Sequence, residues 1–251
     1  MFIDQSLEGH MAAKSTLRVL RPKKLIGSNA IRIGRNFDGG YVMIDHFSGI
    51  DAAYSLGIND DVSWDLDIVK HGIPIYQYDP TIAALPVEHP LFHWEPVWIG
   101  GVEKAEENVQ TLENLIIRNG HQDKNNMLLK CDIEGAEWPV LQNIPNEILR
   151  KFSQMVFEIH DINMISQPEK MEGVRNALYN LTASHHIVHV HGNNYGGWTV
   201  IGGIPLPNVI EVTLLRKDMG EFVDSEETFP TELDMPCDRT RCDMHLGRFV
   251  F

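Results

Sequence analysis

The chain is short of cysteine, of positive charge and of long apolar runs. Its three cysteines, Cys131, Cys237 and Cys242, are too few and too scattered for a disulfide framework. Lys and Arg number 21 against 35 Asp and Glu, and the formal net charge of −14 disfavours binding to phosphate backbones or anionic lipid. No segment approaches the ~20 apolar residues of a membrane-spanning helix. We therefore expect neither nucleic acid nor a membrane as a partner.

The chain begins MFIDQSLEGHMAAK, which carries Asp4 and Glu8 and lacks the apolar core of a secretory signal. Together with the sparse cysteines, this predicts a cytoplasmic protein. A length of 251 residues and a hydrophobic content of 43% suffice for one sizeable domain.

Strand-like and helix-like segments alternate along most of the chain, which predicts an α/β fold with a doubly wound, mostly parallel sheet and helices on both faces. The predicted strands are 51–57, 73–78, 91–99, 127–132, 154–160, 186–191 and 209–215, and the predicted helices are 60–69, 106–118, 137–149 and 169–181. We expect residues 1–50 to form an N-terminal accessory segment of helix and hairpin, 51–216 the catalytic domain, and 217–251 an irregular C-terminal extension packed on that same domain.

The first strand, a turn at Gly57 and a helix are followed by a second strand that ends in Asp79. This is a mononucleotide-binding arrangement, in which such an acid accepts hydrogen bonds from ribose hydroxyls. The turn has one glycine where a dinucleotide-binding loop has three, and Asp60 and Asp61 would repel a pyrophosphate. A cationic nucleoside such as S-adenosylmethionine (SAM) suits these acids better. The alternative is that Asp79-Pro80 only ends a strand.

Acids, histidines and amides lie at or just after the ends of three further predicted strands, which meet at one edge of the sheet. They are Asp132 and Glu134, then Glu158, His160 and Asp161, then His189, His191, Asn193 and Asn194. Such groups suit a general base that deprotonates a hydroxyl, for which His160 or His191 is the candidate. They also suit a Mg²⁺ or Mn²⁺ site built from Asp132, Glu158 and His160. A network of mutually satisfied polar groups is the structural alternative.

The loop HGNNYGG contains Asn193, Asn194 and Tyr195, and its glycines permit a mobile lid. We expect these three residues to contact a sugar-like acceptor.

Four motifs resemble those of the FkbM-type SAM-dependent methyltransferases. They are RIGRNFDGGYVM, AYSLGINDDVSWDLDIVKHG, IYQYDPT and DIEGAEW, and the likeness runs from Arg32 to about Arg216. The resemblance implies a Rossmann-like methyltransferase sheet and SAM as cofactor. It also implies that SAM contacts Gly57 and Asp79, with Asp38, Gly39, Gly40 and Tyr41 lining the entrance. We expect Tyr41 and Asp132 to bind the cofactor as well.

The leading hypothesis is therefore a SAM-dependent O-methyltransferase that modifies a hydroxyl of a carbohydrate or a small polar metabolite, with Asp132, His160 and His191 as catalytic residues. Its partners would be a small-molecule or glycan acceptor and, in a homo-oligomer, a second copy of the chain. A metal-dependent hydrolase on an α/β scaffold and a non-catalytic methyltransferase-like interaction module are the alternatives.

Overall fold

The computed structural model describes residues 2–251 and contains one large central sheet. The strands are β1 (Lys23–Leu25), β2 (Ala30–Ile33), β3 (Tyr41–Ile44), β4 (Ala52–Leu56), β5 (Ile75–Tyr78), β6 (Phe92–Glu95), β7 (Trp98–Ile99), β8 (Val109–Gln110), β9 (Met127–Cys131), β10 (Phe152–Ile159), β11 (His185–Gly192), β12 (Trp198–Ile201), β13 (Ile204–Pro207), β14 (Ile210–Arg216) and β15 (Phe222–Asp224). The α-helices are α1 (Leu7–Leu17), α2 (Ser63–Val69), α3 (Leu112–Arg118), α4 (Glu137–Asn143), α5 (Asn146–Leu149) and α6 (Pro168–Ala183).

The central sheet has seven strands in the order β11-β14-β10-β9-β4-β5-β6. Strand β14 is antiparallel to both of its neighbours, while the pairings among β10, β9, β4, β5 and β6 are parallel. The chain builds outward from β4 to β6 and then returns to the other side of β4 at β9. The sheet is therefore Rossmann-like and mostly parallel, as predicted, with its topological switch point between β4 and β9.

The two faces of the sheet are covered differently. One face packs against α1 and α3 to α6 through a large apolar core that includes Leu115, Leu141 and Leu178. The other face packs against α2 and the β2–β3 hairpin, through a smaller core around Trp64 and Met43. Helices thus lie on both faces, as predicted, but α2 alone serves the second face together with the hairpin and the C-terminal extension.

Several predicted elements are shorter or interrupted, and proline is one reason. The predicted helix 137–149 is two helices, because Ile144 precedes Pro145 and takes the extended backbone that such residues prefer. The predicted strand 91–99 is split at Pro96 into β6 and β7, which belong to different sheets. Helix α3 begins only after Thr111, whose hydroxyl accepts a hydrogen bond from the Asn114 backbone N–H.

The structure also contains elements that the sequence interpretation lacked. Strands β12 and β13 form a hairpin whose turn is Gly202-Gly203. At the start of the C-terminal extension, β15 pairs with β1. The remainder, 225–251, has only an isolated bridge between Phe229 and Gly247 within the described chain. No helix between residues 2 and 251 has the length and apolar character that crossing a membrane requires.

Gly57 offers a test of the turn after β4, because its backbone φ is +81° and a Cβ there would lie 1.6 Å from the carbonyl oxygen of Asp132. We expect Gly57→Ala to lower the free energy of unfolding by about 3 kcal/mol, through left-handed strain plus overpacking. Gly120→Ala is the matched control, since Gly120 has φ +73° but no atom within 4 Å of its Cβ position. It should lose only about 1 kcal/mol. Equal losses in urea unfolding would contradict the contact.

Candidate active site

A cavity of about 350 Å³ opens at the switch point of the sheet, where α/β folds bind their ligands. Its lining comes from the turn after β4, the end of β5, the segment around β7, the segment after β9 and the turn before β3. These contribute 57–61, 78–81, 97–99, most of 130–136, and Arg35, Asp38 and Gly39. Of the predicted cofactor residues, Gly57, Asp79 and Asp132 line this cavity.

Asp79 is fully engaged by the chain itself. Its Oδ2 accepts hydrogen bonds from the backbone N–H groups of Ile58 and Asn59, both at 2.8 Å. Its Oδ1 accepts from the backbone N–H of Thr81 at 2.8 Å and from the Thr81 hydroxyl at 2.6 Å. Burial acts to raise the pKa of Asp79, but these hydrogen bonds outweigh it and the pKa is lowered. Asp79 therefore fixes the turn after β4 against the end of β5, and of its four donors the rotatable Thr81 hydroxyl is the easiest to replace.

The glycine at position 57 is required by packing. A Cβ at this position would collide with the Asp132 carbonyl, so the need for glycine is explained by packing alone and requires no contact with a ligand. The Gly57 carbonyl in turn accepts a hydrogen bond from the ammonium of Lys130 at 2.6 Å. Lys130 is a buried, cavity-lining cation that the sequence interpretation missed. The available signal was a lysine within an otherwise apolar strand, two residues before Asp132 and hence on the same face of the sheet.

Asp132 lies directly after β9 and has one oxygen without a partner. Its Oδ2 accepts a hydrogen bond from the Tyr41 hydroxyl at 3.3 Å, whereas Oδ1 is buried and makes no hydrogen bond within the described residues. Burial raises the pKa of Asp132 to about 6, against the opposing effects of Lys130 and His160. Asp132 can therefore exchange a proton near neutral pH. Tyr41 is buried behind it and contacts Asp132 rather than lining the cavity.

Glu158 and His160, at the end of β10, complete a group with Asp132. One ligand atom from each of the three residues lies within 4.8 Å of the others. Burial, followed by the negative charges of Asp132 and Glu211, raises the pKa of Glu158 well above its ordinary value. The structure thus brings together the three residues that the sequence predicted as metal ligands, with carboxylate and imidazole atoms facing one another.

His160 is surrounded by carboxylates. Its Nε2 lies 3.4 Å from both Glu158 and Glu134, and its Nδ1 lies 3.4 Å from Glu137 without a well-formed hydrogen bond. Burial acts to lower the pKa of His160, but Glu137, Asp132 and Glu134 outweigh it and the pKa is raised. The imidazole therefore favours its charged form, or a bound cation in place of that charge.

His191 lies farther along the sheet, beneath the C-terminal extension. It is 1% exposed, with Nδ1 2.8 Å from Glu211 and Nε2 3.0 Å from Asp243. Burial acts to lower its pKa, but Glu211 and Asp243 raise it to about 10. His191 is not among the described residues that line the cavity. Its predicted role as a base would need access that these contacts block.

The predicted acceptor residues lie in different surroundings. Asn193 is buried and donates a hydrogen bond to Glu158 at 2.9 Å. Asn194 is buried against the C-terminal extension, where it donates to the carbonyl of Asp238 and accepts from its backbone N–H. Tyr195 is 59% exposed. Acceptor binding by these three residues remains a prediction, and the two asparagines have structural partners already.

Four of these ionisable residues form a row across adjacent strands. Glu158 is paired in register with Glu211, and Glu211 with His191, while Asp132 follows Cys131, the register partner of Phe157. Register partners project from the same face of a sheet, so Asp132, Glu158, Glu211 and His191 lie side by side. The sequence interpretation missed Glu211, although its ionisable side chain stands out in the apolar strand IEVTLL.

The strand order and a cavity at the switch point define the class as a Rossmann-like α/β fold with a ligand site at the sheet edge, as in nucleotide- and SAM-binding enzymes. Comparison with known proteins agrees: the family described as "Methyltransferase FkbM domain" matches residues 49–204. The chain belongs to the FkbM methyltransferase family. It is also similar to "Probable methyltransferase-like protein 24" of Homo sapiens and of Rattus norvegicus, with 30% identity over 118 residues in each case. That similarity covers 43% of this chain and 32% of either relative, so about a third of their length is matched.

The raised pKa of Asp132 predicts a pH-dependent cost to stability. Between the ordinary value of 3.8 and about 6, the unfolded chain ionises while the folded chain stays protonated, so stability falls as pH rises through this window. Asp132→Asn removes this effect. Its stability relative to the wild type should therefore grow by about 1 kcal/mol between about pH 5 and about pH 8, measured by urea unfolding.

Glu107→Gln is the control for Asp132→Asn, because the Glu107 side chain is 63% exposed and lies outside the cavity lining. This variant should follow the pH dependence of the wild type. A pH-independent difference between Asp132→Asn and the wild type would contradict the assignment of the raised pKa to Asp132.

Proposed function

We propose that this protein is a SAM-dependent O-methyltransferase that methylates a hydroxyl of a carbohydrate or of a small polar metabolite. The main observation in support is the cavity at the switch point. It contains the turn that Asp79 holds in place, the buried ammonium of Lys130 and the carboxylate oxygen of Asp132 that has no hydrogen-bond partner. Family membership supports methyl transfer over hydrolysis.

The charges of the cavity lining match those of SAM, which carries a sulfonium, an ammonium and a carboxylate. Two cations, Arg35 and Lys130, line the cavity among a larger number of acids. The buried Lys130 would bind the carboxylate of SAM, and the acids would favour its two cationic groups. The acids of the lining are Asp38, Asp60, Asp61, Asp79, Asp132 and Glu134.

The cavity lining contains an apolar surface that suits the adenine ring of SAM and an acid that suits its ribose. Ile58, Val97 and Ile99 supply an apolar surface for a planar adenine ring. Asp79 follows β5 and lines the same cavity, and a ribose hydroxyl could take the place of the Thr81 hydroxyl on its Oδ1. The exchange replaces one hydroxyl donor by another, so the carboxylate keeps its full set of partners.

SAM supplies an electrophilic methyl group, and the acceptor hydroxyl must lose its proton during the transfer. Asp132 and His160 are the residues that could hold this proton. Asp132 has a pKa of about 6 and a free acceptor oxygen, and His160 lies in the same cluster. Proton transfer is most efficient when the base has a pKa near the working pH, which Asp132 satisfies.

Asp132, Glu158 and His160 also fit a divalent ion such as Mg²⁺ or Mn²⁺. The fit is one of donor chemistry, because two carboxylates and one imidazole converge around an unpartnered carboxylate oxygen. An ion there would lower the pKa of a bound hydroxyl and orient a diol. A hydrolase built on the same cluster would bind no SAM, and a non-catalytic module that keeps the shell of the fold would transfer no methyl group.

Titration calorimetry with SAM tests the cofactor assignment. We expect the wild type to bind SAM and Lys130→Met to bind it about 10- to 100-fold more weakly, because a charge-assisted contact to the carboxylate is lost. Lys104→Met is the matched control, since the Lys104 side chain is 54% exposed and lies outside the cavity lining. Asp79→Asn should weaken binding as well. A wild type that binds no SAM would contradict the proposal.

Chelation tests the divalent ion separately. With isotope-labelled SAM and a panel of mono- and oligosaccharides as acceptors, EDTA should lower methyl transfer by at least about 10-fold, and Mg²⁺ or Mn²⁺ should restore it. Asp132→Asn and His160→Ala should bind Mn²⁺ more weakly in electron paramagnetic resonance titrations. Full activity in EDTA, with unchanged Mn²⁺ binding in both variants, would contradict the divalent-ion site. Asp132 would then be the base without a metal.

A further inference from the structure

A second group of buried ligand-type side chains lies where the C-terminal extension covers the sheet. His191 of β11, Glu211 of β14 and Cys237 of the extension each offer one ligand atom, and these atoms lie within 4.8 Å of one another. The three residues are only 1%, 6% and 3% exposed, respectively. We propose that they bind a divalent ion of the Zn²⁺ class, which fastens the extension to the central sheet.

The donor types select the metal. A thiolate, an imidazole and a carboxylate are the ligands that Zn²⁺ takes in proteins, whereas Mg²⁺ and Ca²⁺ prefer oxygen. The neighbouring cluster of Asp132, Glu158 and His160 has no sulfur and lies beside the cavity. The two clusters therefore differ in ligand chemistry and can be told apart by a thiophilic probe.

The distances within the group are close to those of a coordination shell. Cys237 Sγ lies 3.1 Å and His191 Nδ1 2.8 Å from different oxygens of Glu211. Ligands at ordinary Zn–N, Zn–O and Zn–S distances in a tetrahedron are about 3.5 Å apart. The side chains need to separate by roughly 0.5 Å, and the ion would take the places of the thiol proton and the Nδ1 proton.

The remaining nitrogen of His191 has the partner that metal-bound imidazoles commonly have. Its Nε2 lies 3.0 Å from a carboxylate oxygen of Asp243, and Asp243 belongs to the C-terminal extension. Such a carboxylate fixes the orientation of the ring and strengthens it as a ligand. Two residues of the extension, Cys237 and Asp243, would thus be tied to the sheet through one ion and one histidine.

The surroundings carry an excess of negative charge. Glu211 is paired in register with Glu158, and Asp38 faces them from the cavity side. Next to His191, Asp234 of the extension hydrogen-bonds His189 at 2.8 Å. Buried carboxylates in such numbers need cations or protons, because their mutual repulsion is weakly screened away from water. A divalent ion would supply two positive charges at one point.

Little regular backbone pairing holds the extension on the sheet. Residues 225–251 lack helices and named strands within the described chain, so backbone ladders contribute little to holding them. Phe229, Cys237, Met244 and Phe249 are nevertheless buried. A metal that bridges the segment and the sheet would hold it in place, as structural Zn²⁺ does in domains with little regular structure.

Metal analysis and cobalt substitution of the 251-residue chain test the site. We expect purified protein to contain Zn²⁺, and the Co²⁺-substituted form to show a near-ultraviolet thiolate-to-cobalt charge-transfer band. Cys237→Ser should abolish the band. Cys242→Ser is the matched control, because Cys242 is an exposed free thiol on the same segment, and it should keep the band. Asp243→Asn should weaken Zn²⁺ binding by about 10- to 100-fold.

Two further comparisons make the result decisive. Asp132→Asn should leave the cobalt band unchanged, which separates this site from the one proposed for Mg²⁺ or Mn²⁺. Removal of Zn²⁺ should speed proteolytic cleavage within 225–251 in the wild type. A wild-type chain that holds no Zn²⁺ and shows no thiolate band when Co²⁺ is supplied would overturn the proposal, as would a band that survives in folded Cys237→Ser.

Discussion

Burial of negative charge at the carboxyl end of the central sheet constrains the rest of the structure. Carboxylates placed side by side on neighbouring strands repel one another, and burial deprives them of the water that would screen this repulsion. One buried ammonium and two imidazoles lie among these carboxylates and offset part of their charge. The pKa values of two of the carboxyl groups are also raised, which favours their neutral form. The residues involved are Asp132, Glu158, Glu211, His191, Lys130 and His160. The negative charge of such a region favours the binding of a cationic cofactor or a metal ion.

This charge explains why the two faces of the sheet are covered differently. A helix packs through a continuous apolar stripe, which suits the face lined by Leu115, Leu141 and Leu178. A helix packed in the same way over the acidic row of the other face would bury these carboxylates without hydrogen-bond partners. A hairpin and an irregular extension can instead bring polar groups from several directions. Here the Tyr41 hydroxyl of the hairpin donates to Asp132, and the Cys237 thiol of the extension donates to Glu211. The irregular C-terminal segment therefore supplies one of the hydrogen-bond donors of the acidic row.

The sequence predicts those parts of the structure in which strand-like and helix-like segments alternate. Alternating segments predict the parallel sheet, and acids at the ends of parallel strands must meet, so the pattern alone brings Asp132, Glu158 and His160 together. Glu211 escapes this reasoning because β14 is antiparallel, so the beginning of this strand, not its end, lies at the same edge. Cys237 and Asp243 escape it because they belong to a segment without periodicity, where contacts depend on tertiary packing alone.

Asp79 shows the limit of reading a site from a motif. The acid after the second strand was predicted to bind a ribose, yet all four of its acceptor positions are filled by Ile58, Asn59 and Thr81. A ligand hydroxyl that replaces the Thr81 hydroxyl gains little net hydrogen-bond energy, because one donor is exchanged for another. The larger contribution of Asp79 is then to hold the turn after β4 in its shape in the absence of ligand. That turn carries Ile58 of the apolar wall and the Gly57 carbonyl that fixes Lys130, so one carboxylate preorganises both the apolar wall and the cation of the cavity.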